Sequence, residues 1–147
     1  MKKKIICIIA IILLGAVVAF FATGRTSLIK QIDKNLGSSD NWKIQSIEKM
    51  EKDKDPVVHD ITEEADGYDE LVKEIEKSDL KRAKYEPGME IISPLYTMTV
   101  SDGQEYVTFT VNDKKEIHVN QKDVTYKITD EKSGLYNSLE QVYDSAK

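Results

Sequence analysis

His118 and the threonines near it come closest to a chemical site. If the segments around residues 116–119 and 124–129 pair as neighbouring strands, His118 falls between Thr110 and Thr125 in one polar row. An imidazole between two hydroxyls can bind a polar ligand or respond to pH near neutrality. The same row also reads as an ordinary wet sheet face carrying one surface histidine. His59 precedes Asp60, but two histidines without Cys or Glu at ligand spacing make no zinc set. Asp53-Lys54-Asp55 begins like a calcium loop. It lacks the glycine and the distal glutamate, and Pro56 follows at once. Ser101 and Ser133 stand in turns with no base at a fixed spacing, and no glycine-rich loop is present to hold a phosphate. The expectation is therefore no catalytic residue, no metal ligand and no cofactor. The chain is expected to bind or interact and not to catalyse.

A broader polar patch suits that role. Thr97, Thr99, Thr108 and Thr110, with Tyr106, share the face of His118 and Thr125 and form a flat, uncharged candidate interaction face. Threonine is also simply a good strand residue for a wet face. An unpaired edge strand is the other natural dock.

The elements that must position these residues follow from periodicity. Asp102-Gly103 predicts a two-residue hairpin turn. That register sets Val100 opposite Glu105, Met98 opposite Val107 and Tyr96 opposite Phe109. A three-residue loop, Asp113 to Lys115, sets Val111 opposite Ile117 and Phe109 opposite Val119. A four-residue loop, Asn120 to Asp123, sets Val119 opposite Val124, Ile117 opposite Tyr126 and Glu116 opposite Lys127. The result is a four-stranded antiparallel meander from Leu95 to Thr129. Two amphipathic helices are available to cover its apolar side. One starts after Asp66 with Tyr68, Leu71, Val72 and Ile75 on a stripe, and the other spans Gly134 to Ala146. Trp42 to Ile47 reads as a further strand, Glu48 to Asp55 as a charged turn, and Glu86-Pro87-Gly88-Met89 as a type II turn. The expected class is α+β, with a domain over 42–147.

The N-terminus bears on location. Lys2, Lys3 and Lys4 precede an uncharged run from Ile5 to Thr23. At ~1.5 Å per residue the run is roughly 30 Å long as a helix, about the thickness of a bilayer core. Residues 1–24 are expected to be a transmembrane anchor, N-terminus cytoplasmic. The alternative is a signal peptide cut after Gly24. Residues 25–41 read as a juxtamembrane stalk whose helix, Arg25 to Leu36, continues the span. Secreted lipoproteins share a box ending in cysteine; here Leu13-Leu14-Gly15-Ala16 has alanine in that place, and Cys7 lies too early. The triple lysine, the apolar run and the overall layout resemble short N-terminally anchored exported proteins of low-GC Gram-positive bacteria. The resemblance carries no motif and transfers no functional residue.

Beyond residue 24 the chain has 18 basic and 26 acidic side chains, a net charge of −8. Such a domain repels both nucleic acid and anionic lipid. It holds no cysteine, so no disulfide within it is possible, and it is long enough to fold on its core alone. The partners expected are the membrane, through residues 5–23, and an envelope protein. Accessory, immunity and sensor roles all fit. A secreted inhibitor and an exported hydrolase are the alternatives.

Overall fold

A computed structural model describes residues 24–37, 41–83 and 93–146 of the 147-residue chain. In chain order the described elements are β1 (Arg25–Ser27), α1 (Leu28–Leu36), β2 (Lys43–Met50), β3 (Val57–Asp60), α2 (Tyr68–Lys77), β4 (Asp79–Arg82), β5 (Leu95–Ser101), β6 (Tyr106–Val111), β7 (Glu116–Val119), β8 (Val124–Ile128) and α3 (Leu135–Ser145). A 3-10 turn, Asn120–Lys122, joins β7 to β8. The strands form one eight-stranded sheet in the order β1-β4-β8-β7-β6-β5-β2-β3, and every neighbouring pair is antiparallel.

This corrects the expected architecture. The meander of β5 to β8 is present, but it is the middle of a sheet twice as wide, and three described helices cover it instead of two. The expected transmembrane helix does not belong to the fold described. Among the described residues no helix is long and apolar enough to cross a membrane. Residues 5–23, on which the transmembrane and signal-anchor assignments rested, lie outside the described residues, as do Cys7 and the turn at Glu86–Met89.

The stretch expected as a stalk helix, 25–36, divides between an edge strand and a helix. Ser27 ends β1 and caps α1, its Oγ accepting from the Lys30 N–H at 3.3 Å. Gly37 closes the helix in the left-handed region at φ 73°, its N–H donating to the Asp33 carbonyl. Leu28 and Ile32 are fully buried. They join Leu71 and Ile75 of α2, Leu135, Leu139 and Val142 of α3, and Ile44, Ile47, Met98, Val100, Val107, Phe109 and Ile117 of the sheet in one core. All three helices therefore lie on the same sheet face. Each fully buried aliphatic or aromatic side chain contributes about 1.5–3 kcal/mol.

Helix α2 starts on Gly67 with no side-chain cap, so Asp66 does not cap it. Its buried Glu74 reaches across to α3, where Oε2 accepts from the Gly134 N–H at 2.9 Å. Lys77 neutralises the other oxygen at 2.5 Å. A carboxylate in this place answers one of the free amides at the start of α3.

The loops between β6, β7 and β8 have the expected lengths, and their registers agree. Phe109 faces Val119, Ile117 faces Tyr126, and Glu116 faces Lys127. The β5–β6 turn differs. Val100 faces Val107, Met98 faces Phe109 and Tyr96 faces Val111, so the loop holds four residues, Asp102 to Glu105. A shift of two residues leaves each side chain on its face and changes only its partner. The turn is fixed by Asp102, whose Oδ1 accepts from the N–H groups of Gln104 and Glu105, both at 2.9 Å, with Gly103 at φ 93°. An Asx turn outcompetes the tighter loop because it satisfies two amides at once.

Those amides, Glu105 first, hold the Asp102 carboxyl below its usual range. A depressed acid contributes stability that is complete above its ordinary pKa and lost as pH falls through the lowered value. The β5–β6 turn should therefore keep its amide resonances down to about pH 4 and lose them only below that. Asp102→Ala should abolish this acid step in a two-dimensional NMR pH series. A turn that is indifferent to pH in the native protein would contradict the assignment.

Candidate functional site

The sheet face away from the helices carries all seven residues of the expected interaction patch. Strand alternation and register order them into rows. One row runs Val58, Glu48, Thr97, Thr110, His118, Thr125 across six strands. A second runs Asp60, Ser46, Thr99, Thr108, and a third Lys43, Ser101, Tyr106.

The patch divides into a closed seam and an open rim. Thr97, Thr110 and Thr125 are buried. Thr110 Oγ1 lies 2.9 Å from Thr97 Oγ1 and donates to Asn120 Oδ1 at 3.2 Å, so the Thr97 hydroxyl donates to Thr110. His118 Nδ1 is 3.1 Å from Thr125 Oγ1, and its Nε2 is 3.4 Å from Asp123 Oδ1. Asn120 and Asp123 were not singled out in the sequence, although the loop length already placed them beside Thr110 and His118. Gln121 also contributes. Its Oε1 accepts from the Thr108 N–H at 3.0 Å, beyond the point where β7 ends, and so replaces a missing strand partner. The rim is Thr99, Thr108 and His118, all half-buried, and Tyr106, which is 64% exposed.

Hydroxyl, imidazole and carboxylate at Thr125, His118 and Asp123 have the order of a hydrolytic triad. The geometry does not serve that chemistry. The Thr125 hydroxyl is buried and cannot meet a substrate, and the Asp123 side chain is 96% exposed, so water screens its charge. The contacts orient the ring; they do not activate a nucleophile.

The other candidates fall elsewhere. His59 lies on the helix side. It stacks on Tyr143 with ring centroids 4.3 Å apart, and its Nδ1 donates to the Tyr143 carbonyl at 3.1 Å. Asp53, at φ 61°, sits in an exposed turn, and the Lys54 ammonium there pairs with Glu51 at 2.8 Å. Ser101 Oγ donates to the Glu105 carbonyl at 2.7 Å. The Ser133 hydroxyl accepts from the Leu135 N–H at 3.4 Å. Tyr96 donates to Glu140 at 3.3 Å, and burial, more than that carboxylate, pushes its hydroxyl well above the ordinary tyrosine range. It acts as a donor and not as an acid. Among the described residues no three or more His, Cys, Asp or Glu side chains gather to hold a metal ion.

Two shallow clefts lie at the start of β2, and neither is lined by a rim residue. One, of 400 Å³, lies between the bulge of β2 and the Ser101–Gly103 turn, and the other, of 430 Å³, lies along Ile61–Glu64. Lys43 edges both and bridges to Glu63 at 2.5 Å, which raises the lysine pKa. Compared with protein-family models, curated proteins and solved structures, the chain matches none of them.

Proposed function

We propose that the protein is a non-catalytic binding module acting outside the cytoplasm, and that its partner docks on the helix-free sheet face around Tyr106. One observation carries this reading. Tyr106 is among the three large hydrophobic side chains left exposed among the described residues, and it sits beside the uncharged rim of Thr99 and Thr108. Aromatic side chains with a polar tip suit protein interfaces, where one end is buried and the other stays wet. The lysine-led apolar run from Ile5 to Thr23 supports export.

Site-specific photo-crosslinking in cells tests the reading. A photoreactive residue in place of Tyr106 or Thr108 should give one discrete adduct. The same residue in place of the exposed Glu76 on α2 should give none. No adduct at either rim position, or equal adducts at all three, would refute the docking face.

A further inference from the structure

At the β1 edge, on the same outer face, the register places three cations side by side. Arg25 faces Lys81, and Lys81 faces Lys127. All three are exposed. Like charges directly opposite one another weaken a sheet. Yet none of the three has an ion pair or side-chain hydrogen bond among the described residues. Glu116 faces Lys127 on the next strand and also accepts from the neutral Asn112 Nδ2 at 2.7 Å, so Lys127 has a carboxylate opposite it, whereas Arg25 and Lys81 have none. In a domain of net charge −8 the row is a local concentration of positive charge.

We propose that Arg25, Lys81 and Lys127 contact the phosphate groups of an anionic lipid surface. The row is straight and lies on a sheet face. Its ends are two strand spacings apart, about 10 Å, so it can meet more than one headgroup. Its position selects lipid over other polyanions, because the uncharged run 5–23 joins the domain at Gly24, immediately before Arg25. Attachment of the chain through that run would hold Arg25 near the surface, and the contact does not require the chain to cross it. The opposite end of the face is acidic, with Glu48 and Asp60 on β2 and β3. At physiological salt, charges beyond about 8 Å are screened, so that end does not cancel the row. This contact is independent of the rim at Tyr106.

The test uses the full-length protein and vesicles of phosphatidylcholine with or without phosphatidylglycerol. The measured quantity is the ratio of the two affinities. Residues 1–23 are identical in every variant and so contribute equally to each ratio. The triple variant R25Q/K81Q/K127Q should lose preference for phosphatidylglycerol by roughly fivefold per cation, about a hundredfold in all. The control K52Q/K54Q/K73Q, which has the same net charge, should keep most of it. A row variant with the native preference, or a control that loses as much, would overturn the proposal. Thermal unfolding supplies the second measurement. Relief of like-charge repulsion should leave the row variant's midpoint at or above the native one, and a lower midpoint would show that these cations hold the sheet instead.

Discussion

Ile32→Ala should lower the unfolding free energy by about 2–5 kcal/mol, the cost of truncating a fully buried aliphatic residue. Lys30→Ala, exposed on the same helix, should change it by less than about 0.5 kcal/mol. The contrast distinguishes two pictures of residues 25–36. A stalk outside the domain would tolerate both substitutions. A helix packed into the common core tolerates only the second. Ile32 sits on α1 between Leu28 and Leu36, and all three side chains belong to the cluster that includes α2, α3 and the sheet. Truncation removes contacts to several elements at once, and surroundings held by a sheet collapse poorly into the space left behind. Urea unfolding of both variants, followed by circular dichroism, gives the answer. Equal midpoints would return α1 to the stalk.

Phe109→Ala should have the larger effect, about 3–5 kcal/mol. Phe109 is fully buried at the centre of β6, with Met98 beside it on β5 and Val119 on β7. It is one of the two bulkiest fully buried side chains among the described residues, with Tyr96. Its loss opens a cavity where the sheet has neighbours on both sides. Against a typical domain stability of about 5–15 kcal/mol, such a loss leaves a marginal protein. The urea midpoint should fall with little change in slope. A loss below about 1 kcal/mol would mean that the sheet is not closed over the core in this way.

Much of this fold was legible in the sequence, and the reason is local. From Leu95 to Ile128 apolar and polar residues alternate, and short loops fix each register, so the two later loop lengths follow from matching apolar partners. The helices over 68–77 and 135–145 announce themselves by stripes such as Tyr68, Leu71 and Ile75. The first turn departs from the expected one because Asp102-Gly103 favours a tight hairpin in general, whereas here the Asp102 side chain accepts from two amides. Strands β1, β3 and β4 carry no such pattern. Arg25–Ser27, Val57–Asp60 and Asp79–Arg82 are three or four residues long, too short for alternation to register.

The sequence alone therefore determined the meander, the two later helices and the polar character of the face that carries Tyr106 and His118. Tertiary structure alone decided the width of the sheet, the burial of α1 and the closing of the Thr97, Thr110 and Thr125 hydroxyls into a seam. The width of the sheet and the burial of α1 depend on contacts between segments far apart in the chain, and the seam depends on the wider β5–β6 turn, which sets Thr97 opposite Thr110. The backbone hydrogen bonds of a short edge strand are the same for every residue type, so composition gives no sign of them until the neighbouring strand is in place.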